Sequence, residues 1–461
     1  MEFHPLNEKD IKRLKSMVSP DRSSTGASNL DLHSRDMSRH PACRPEVVIW
    51  PVNRREVSQI LGYANQNTIP VTAWGAGTSL EGNPIPLRRG IVLNFSRMNQ
   101  ILDIREADFQ ADVEPGVIYQ DLNHKLRHSG LFFPPDPGTQ ATVGGMIANN
   151  ASGTRTVCYG STKNHVLRLV VVLADGEVVE IGNRAPKTSS GYDLVHLFVG
   201  SEGMLGLVVE ATVRLAGIAE EFASAVGTFP SVQSAGKAVF EIMRSGVDPA
   251  ALELLAQECI DLINREQDMG LNVLPTLFME FHGPTQRQLS DILEIVHEIC
   301  LQKGCQEFRP GLDRAERDRL LKARYGLGEM IRRNHPDQSR IVIDVAVPVS
   351  AYPEMIVFAI EEARKVKTAT AYTFGHAGDG NIHLVIGAKE GGPEWAEIDE
   401  ANNRIVTKAL AMGGTATGEH GVGIGKTKFM TLEHGKSLEW MKKVKFLFDP
   451  KGILNPGKMF P

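Results

Sequence analysis

Two histidines, His376 and His383, flank a stretch of strong turn-forming residues. The alternating residues before His376 and the apolar run around His383 each predict a β-strand, and residues 378–381 (Gly-Asp-Gly-Asn) predict the turn between them. If Ala377 pairs with Ile382 across this turn, the two histidines face each other with Cβ atoms about 5 Å apart. Two imidazoles so placed can share one transition-metal ion. The pair therefore indicates metal-assisted chemistry, although either histidine alone is more often a hydrogen-bonded core or turn residue.

Composition and charge narrow the class of protein. The chain has 461 residues, of which 42% are hydrophobic and 23% charged, as in ordinary globular proteins of two or three domains. The net charge of -5 gives no basic footprint for nucleic acid, and no apolar run reaches the roughly 20 residues that span a bilayer. The N-terminus also lacks a signal-peptide core. We therefore expect a cytoplasmic protein, or one that is peripheral at the inner face of the membrane.

The five cysteines are scattered and form no Cys-x-x-Cys pair. This usage argues against a disulfide framework and against an iron–sulfur cluster bound by this chain. Free thiols in a reducing compartment are the expected state.

Four segments follow from the pattern of strand and helix signals. A polar lead-in, residues 1–41, precedes a mixed α+β domain over residues 42–218. Longer helical patterns with interleaved strands predict a second domain, a sheet backed by helices, over residues 219–415. Its expected helices include Val232–Arg244, Leu252–Arg265, Ala315–Arg333 and Tyr352–Lys365. The remainder, residues 416–461, is a Gly-rich and turn-rich C-terminal segment.

Three loops rich in small residues lie beside predicted strands, at residues 70–83, 134–154 and 200–206. Glycines let successive backbone N–H groups converge on an anion and let the backbone lie flat against a planar ligand. None of the loops is a Gly-x-Gly-x-x-Gly or Walker sequence, so Rossmann and P-loop sites are not indicated. One such loop alone could be a simple turn between strands. Three in one domain favour an extended cofactor.

Four motifs resemble those of one flavoenzyme family. They are Trp74-Gly-Ala-Gly-Thr-Ser79, Pro135-Asp-Pro137 with Thr142-Val-Gly-Gly-Met146, Gly200-Ser-Glu-Gly-Met-Leu-Gly206, and Gly375-His-Ala-Gly-Asp-Gly-Asn-Ile-His383. In this order they resemble FAD-linked D-2-hydroxyacid dehydrogenases of the vanillyl-alcohol-oxidase-like superfamily, which include cytochrome-type D-lactate dehydrogenases and the flavin subunit of glycolate oxidase. The resemblance implies an α+β fold with three parts: a two-part FAD-binding PCMH-type domain, an α+β substrate (cap) domain with an antiparallel sheet, and a C-terminal segment that returns to the FAD domain.

The resemblance also implies which residues bind FAD. The first loop would hold the pyrophosphate, the middle loop the ribityl chain and isoalloxazine, and the third loop the adenine end. Because the first loop offers Thr78 and Ser79 where some relatives carry a covalently attached residue, we expect non-covalent FAD. The implied residues are Pro70, Trp74, Gly75, Ala76, Gly77, Thr78, Ser79, Gly82, Pro135, Asp136, Thr142, Gly144, Gly145, Ala148, Ser152, Gly153, Tyr159, Gly160, Glu202, Gly203, Gly206, Val208 and Asn455.

The reacting groups are assigned from the residue types together with the resemblance. His376, His383 and Glu419 are expected to bind a divalent metal, for which two imidazoles and a carboxylate suit Zn, Mn or Fe. His420 is expected to be the general base, or else a group that orients a metal ligand. Arg324 lies on the apolar stripe of its predicted helix, with Leu320, Leu321 and Leu327 as neighbours. A buried guanidinium needs an anion, which is either the substrate carboxylate or an internal Asp or Glu.

The sequence thus predicts an enzyme that oxidises a small D-2-hydroxy acid, D-lactate before glycolate, to the 2-oxo acid. The hydride would pass to FAD N5, and the electrons to an external cytochrome, electron-transfer flavoprotein, quinone or iron–sulfur subunit. A homodimer is one expected assembly. Val342 stands where relatives acting on dicarboxylates carry a lysine, which disfavours D-2-hydroxyglutarate. The alternatives are a hydroxyglutarate-type dehydrogenase, a metal-free flavin alcohol oxidase and a flavin-binding subunit without catalytic activity.

Overall fold

The structure is a computed structural model that describes residues 2–311, 319, 322 and 324–461. These residues divide into two compact units. The first unit comprises the chain up to Ser152, Gly160–Ile218 and Glu419–Pro461, and the second comprises Gly153–Tyr159 and Ala219–Gly418. The mixed α+β character predicted for the chain is confirmed.

The first unit contains two main sheets. In spatial order, the four-stranded sheet consists of Ser23–Ser24, Val47–Ile49, Ile91–Asn94 and Val71–Trp74, the last three of them parallel. The five-stranded antiparallel sheet consists of Ile101–Arg105, Gln110–Val113, Leu207–Arg214, Val166–Val172 and Val178–Gly182. A small pair joins Leu131–Phe132 to Ala216–Gly217.

The helix Arg54–Gln66 packs its apolar face on these sheets. In the helix Arg54–Gln66, the Asn53 side chain caps the first turn by accepting from Glu56 N–H. The buried side chains of this helix recur at helical spacing: Val57, Ile60, Leu61 and Ala64. The other α-helices are Glu8–Lys15, Ala27–Leu32, Tyr119–Leu126, Val143–Asn149, Val195–Phe198, Met430–His434 and Ser437–Phe448.

The C-terminal segment completes the first unit. Val71 N–H donates to the carbonyl of Ile453 at 2.8 Å, and Asn455 N–H donates to the carbonyl of Val71 at 2.8 Å. The buried Lys445 ammonium donates to Asp449 and, at 2.7 Å, to the carbonyl of Met204. These bonds extend the sheet beside the strand that enters the first Gly-rich loop.

The second unit is built on one seven-stranded antiparallel sheet. In spatial order its strands are Glu307–Gly311, Glu221–Thr228, Thr276–Gly283, Pro249–Leu255, Thr370–His376, Asn381–Lys389 and Gln338–Ala346. Its described helices are Thr156–Tyr159, Val232–Arg244, Gln257–Gln267, Gln286–Gln302, Leu327–Asn334, Tyr352–Lys365 and Glu394–Ala411.

Two predicted helices of this unit need correction or restriction. The prediction of a helix over Leu252–Arg265 is wrong for its first part, because Pro249–Leu255 is a strand and the helix begins at Gln257. Every residue of that strand is buried, and a short run buried on both faces cannot be told from a helix by periodicity. Of the predicted helix Ala315–Arg333, residues 312–318, 320, 321 and 323 lie outside the described residues.

Candidate functional site

The predicted glycine loops line a cavity within the first unit. The space inside this cavity, with the open solvent at its mouth included, is about 1320 Å³. A Cβ atom on Gly75 would lie 2.4 Å from Thr142 Oγ1, and one on Gly144 would lie 2.6 Å from Pro115 Cβ. Only glycine permits the close approach of Gly75 to Thr142, which joins the first and second loops, and that of Gly144 to Pro115. The cavity therefore has the small-residue walls expected for an extended planar cofactor.

Most of the residues predicted to bind FAD lie on this lining. They are Trp74, Gly75, Ala76, Gly77, Thr78, Ser79, Thr142, Gly144, Gly145, Ala148, Ser152, Glu202, Gly203, Gly206, Val208 and Asn455. The lining also includes residues that the sequence analysis did not single out, among them Asn83, Phe95, Met146 and Asn149. Asn83, Met146 and Asn149 lie inside the predicted loops, which is the signal that could have found them, whereas Phe95 lies outside the loops and carried no such signal.

Seven predicted residues are outside this lining: Pro70, Gly82, Pro135, Asp136, Gly153, Tyr159 and Gly160. Some of them stabilise the loops instead. Gly82 N–H donates to Asp36 Oδ2 at 2.8 Å, and Tyr119 donates to Asp136 Oδ1 at 2.5 Å. Tyr159 belongs to the second unit, where its hydroxyl lies 2.9 Å from Nδ1 of His282.

Glu419 and His420 also line the cavity of the first unit. Ser152 Oγ donates to Glu419 Oε2 at 2.9 Å, and the Asn149 side chain donates to the backbone carbonyl of His420 at 3.1 Å. A carboxylate and an imidazole thus project from the C-terminal segment onto the wall that the second Gly-rich loop forms.

A buried carboxylate, Glu202, holds that segment in place. It accepts hydrogen bonds from the backbone N–H groups of Val422 at 2.6 Å and Gly423 at 3.0 Å. Burial raises its pKa, although these amide donors act against the rise. Nearby, Lys458 donates to the carbonyl of Asn83 at 2.8 Å and to Asn455 Oδ1 at 2.6 Å. Burial lowers the pKa of Lys458 to about 8.

In the second unit, strand register brings the predicted histidine pair together on one face of the sheet. The predicted register is wrong, however: His383 pairs with Phe374, and His376 pairs with Glu253 of the neighbouring strand. The connection is longer than the turn predicted over residues 378–381, because residues 377–379 form a 3₁₀ turn that ends at Gly380 with φ +73°. The rings nevertheless meet diagonally, with centroids 5.1 Å apart and planes at 86°. Each offers a nitrogen within 4.8 Å of the other's.

Glu253 is the residue of this cluster that the sequence analysis missed. Its Oε1 lies 2.6 Å from His376 Nδ1, and the carboxylate is 1% exposed. It was missed because its strand was read as a helix. A single acid in an otherwise apolar, fully buried run, Pro249-Ala-Ala-Leu-Glu-Leu-Leu255, is the signal that could have found it.

Arg324 is buried, as predicted, and its anion in the structure is Glu253. Nε of Arg324 donates to Glu253 Oε2 at 2.6 Å, so the internal ion pair foreseen as the alternative partner is present. The guanidinium carbon also lies 4.8 Å above the centre of the Phe374 ring. A planar guanidinium has five N–H donors, and one carboxylate oxygen does not use them all.

Asp344 occupies the opposite side of His383 and anchors the chain that leads to Glu419. Its Oδ1 accepts from the Asn381 side chain at 2.7 Å, its Oδ2 accepts from Thr417 Oγ1 at 2.9 Å, and His383 Nδ1 lies 3.7 Å away. A Cβ atom on Gly418 would lie 2.0 Å from Asn381 Nδ2. The residue immediately before Glu419 is therefore packed against the same end of the sheet as His383.

The donor chemistry of this cluster fits a divalent metal. His376 and His383 are 8% and 4% exposed. With Nδ1 of His376 hydrogen-bonded to a carboxylate, Nε2 is the ring atom left to bind a metal ion, as in the carboxylate–histidine pairs that support metal ions in proteins. Imidazole ligands suit Zn and Fe, and carboxylate ligands suit Mn.

Comparison with known proteins gives matches along nearly the whole chain. Residues 45–182 match the profile of the FAD binding domain family, and residues 218–459 match that of "FAD linked oxidases, C-terminal domain". A probable mitochondrial D-lactate dehydrogenase of Danio rerio is 38% identical over 98% of this chain and 92% of its own length. The glycolate oxidase subunit GlcD of Bacillus subtilis is 35% identical over 98% of this chain and 97% of its own.

A solved structure shows the same fold at low sequence identity. The 4-ethylphenol oxidase of Gulosibacter chungangensis is 17% identical, with a TM-score of 0.80 over 98% of this chain and 96% of its own. The predicted PCMH-type α+β fold is thereby confirmed.

Proposed function

This chain belongs to the FAD-linked oxidase family and is an FAD-dependent oxidoreductase, and from that premise we propose that it oxidises a small D-2-hydroxy acid to the 2-oxo acid. Relatives named as D-lactate dehydrogenases and glycolate oxidase subunits match it at 31–38% identity, which supports D-lactate first and glycolate second. The observation that carries the proposal is the buried grouping of two imidazoles on one sheet of the second unit with a guanidinium that packs against the same sheet. Those groups suit a metal and a carboxylate, the two needs of an α-hydroxy acid.

We assign one role to each reacting residue. Arg324 binds the substrate carboxylate with the donors that Glu253 does not use. His376, His383 and Glu419 hold the metal, an assignment supported by the packing of Gly418, which Glu419 follows directly, against Asn381. His420 accepts the hydroxyl proton on its imidazole.

When bound, FAD supplies a hydride acceptor at N5, and Zn, Mn or Fe supplies a Lewis acid that lowers the pKa of the substrate hydroxyl. The buried walls around Glu253 and Asp344 exclude bulk water, which strengthens the electrostatic contacts of the chain's own residues with the substrate. The proton goes to His420, the carbon–hydrogen pair of electrons leaves as hydride, and the 2-oxo acid forms.

The substrate side chain is proposed to be small. Val342 pairs with Val385 on the sheet face that carries Asp344, and it packs partly buried against apolar residues such as Tyr372. No charge is available at that position for a second carboxylate. This favours D-lactate over D-2-hydroxyglutarate, and Val342→Lys is expected to shift the ratio of kcat/KM toward the dicarboxylate by about tenfold. An unchanged ratio would remove Val342 as a determinant.

Electrons are proposed to leave to an external carrier: a cytochrome, an electron-transfer flavoprotein, a quinone or an iron–sulfur subunit. The relative from Arabidopsis thaliana, 35% identical over 100% of this chain, is named for cytochrome. We also propose that the protein assembles as a homodimer.

We propose a cytoplasmic location that is peripheral at the inner membrane face. Among the described residues, no helix is long and apolar enough to cross a bilayer. The helix Ser437–Phe448 exposes Trp440 at 66% and Leu447 at 75%, and the Lys443 ammonium lies 4.0 Å from the Trp440 ring centre. An exposed tryptophan and leucine with lysines are typical of helices that lie in a membrane interface. Sedimentation of the protein with anionic vesicles, and the loss of this sedimentation in the Trp440→Ala variant, would support the peripheral location.

The central test is anaerobic bleaching of the bound flavin by a panel of D- and L-2-hydroxy acids, with and without a chelator. We expect D-lactate to bleach fastest, glycolate more slowly and L-lactate not at all, and we expect the chelator to stop the reaction. Bleaching that persists in chelator would favour the metal-free alcohol oxidase. A purified protein that retains flavin but responds to none of the acids would contradict the proposal.

A further inference from the structure

One buried carboxylate, Glu253, bonds to two of the groups on which the proposed chemistry depends. Its Oε1 lies 2.6 Å from Nδ1 of His376, and its Oε2 accepts a 2.6 Å hydrogen bond from Nε of Arg324. The side chain is 1% exposed, so bulk water does not compete for either bond. A single side chain therefore fixes an imidazole and a guanidinium relative to each other.

The sheet itself does not need an acid at this position. All residues of the strand Pro249–Leu255 are buried, and burying a carboxylate costs free energy that its partners must offset. A well-packed apolar residue in place of a buried ion pair is often neutral or stabilising. The presence of Glu253 is explained by its partners rather than by the stability of the sheet.

We propose that Glu253 is a positioning residue that couples metal binding to recognition of the substrate carboxylate, an inference that rests on the proposed function above. Toward His376, its Oε1 keeps the ring proton on Nδ1 and leaves Nε2 as the ligand atom. Toward Arg324, its Oε2 holds the guanidinium over the Phe374 ring, so that the other N–H donors are oriented before substrate binds. Because both His376 and Arg324 bond to this one carboxylate, a displacement of either side chain also displaces the other.

Glutamine at this position would satisfy only one partner. If its amide oxygen accepts from Arg324, its NH₂ faces His376 and forces the ring proton onto Nε2, which removes the ligand atom. If its oxygen accepts from His376, the NH₂ faces the donors of Arg324, where it finds no acceptor. Aspartate keeps both acceptors and the charge but withdraws them by one methylene group.

The experiment measures Zn²⁺ affinity by chelator competition and the KM for D-lactate at saturating Zn²⁺, both on the flavin-loaded protein. We expect Glu253→Gln to weaken Zn²⁺ binding about 10–100-fold and to raise KM about tenfold, with the flavin content unchanged. Glu253→Asp should lose less in both quantities. The decisive variant is Arg324→Lys, which should weaken Zn²⁺ binding several-fold although Arg324 is not a proposed ligand.

The matched control is Glu362→Gln. Glu362 is a buried carboxylate of the same unit that accepts from Arg404 Nε at 2.6 Å and contacts no proposed site residue. We expect Zn²⁺ affinity and KM in this variant to stay within twofold of the unsubstituted protein.

The outcomes separate this inference from the proposed function. An unsubstituted protein that neither binds Zn²⁺ nor is bleached by D-lactate would overturn the proposed function. An active, Zn²⁺-binding protein whose Glu253→Gln variant changes neither quantity, or only one of them, would overturn the coupling. If Glu253→Gln fails to fold, unchanged Zn²⁺ affinity in Arg324→Lys would overturn it equally.

Discussion

Two buried carboxylates, Glu202 in the first unit and Glu253 in the second, have opposite kinds of partner. Glu202 is bonded by the backbone N–H groups of Val422 and Gly423, whereas Glu253 is bonded by the side chains of His376 and Arg324. Backbone amides neither titrate nor bind metals, so the amide contacts of Glu202 hold the chain in place. An imidazole and a guanidinium can both act on a ligand, so Glu253 positions groups that do chemistry.

The substitution with the largest expected effect is His383→Ala, which tests the cluster around Glu253. It removes one of the two paired imidazoles. We expect loss of bound metal and a fall in kcat of at least about 10³-fold, in the range of a lost metal or oxyanion contact. Metal content by elemental analysis and anaerobic flavin reduction would measure it. His297→Ala is the control, since that exposed ring stacks on Phe308 with centroids 4.6 Å apart. Retained metal and activity in His383→Ala would refute the site.

A second substitution, His420→Asn, separates the two roles considered for that residue. As general base, it should slow flavin reduction by about 10²–10⁴-fold while flavin and metal content stay unchanged. The low-pH limb of the rate profile should also disappear. Loss of metal with only a small change in rate would instead indicate that His420 orients a metal ligand. Stopped-flow absorbance with elemental analysis distinguishes the two outcomes.

On the structural side, Glu202→Ala should act on stability. It leaves the buried N–H groups of Val422 and Gly423 without their acceptor, at a cost on the order of 3 kcal/mol. We expect a lower urea midpoint and loss of flavin on gel filtration, because the segment that carries Glu419 and His420 is released. Glu253→Gln, by contrast, should retain its flavin. Equal flavin loss in both variants would erase the distinction between the two carboxylates.

The smallest effect is expected from Lys458→Met, which should change how the free energy of unfolding depends on pH. The folded-state pKa of Lys458 is about 8, below the usual 10.5, so between pH 8 and 10.5 the unfolded chain binds more protons. The free energy of unfolding therefore gains a contribution on the order of 1–3 kcal/mol as pH rises through that window. The substitution should remove this gain. Urea unfolding at pH 7.5 and pH 10 would measure the difference in the free energy of unfolding. Lys443→Met is the control, because the Lys443 side chain is exposed.

Sequence reasoning succeeded where local chemistry decides the structure. The helices Val232–Arg244 and Tyr352–Lys365 have their predicted bounds, because an amphipathic repeat with clear start and stop residues depends little on the rest of the chain. The Gly-rich loops were found for the same reason, since the close approach of Gly75 to Thr142 demands glycine.

Sequence reasoning failed where the pairing of strands that are distant in the chain decides the structure. The register of His376 depends on Glu253, 123 residues earlier in the chain, and no local pattern contains that pairing. The fully buried strand Pro249–Leu255 carried no alternation to mark it as a strand. Both errors concern one place, the centre of the sheet that bears the proposed metal and carboxylate groups.

The bonding of Val71 to residues 453–455 has a consequence for biogenesis. The second unit, Gly153–Tyr159 and Ala219–Gly418, is fully synthesised before residues 453–455 are made, whereas the sheet beside the first Gly-rich loop lacks its last partner until then. Domains generally fold as their sequence emerges. The second unit is therefore expected to fold before the first unit, whose sequence continues after it. Cofactor capture would then be a late event in maturation, and nascent chains stalled before residue 453 should remain colourless.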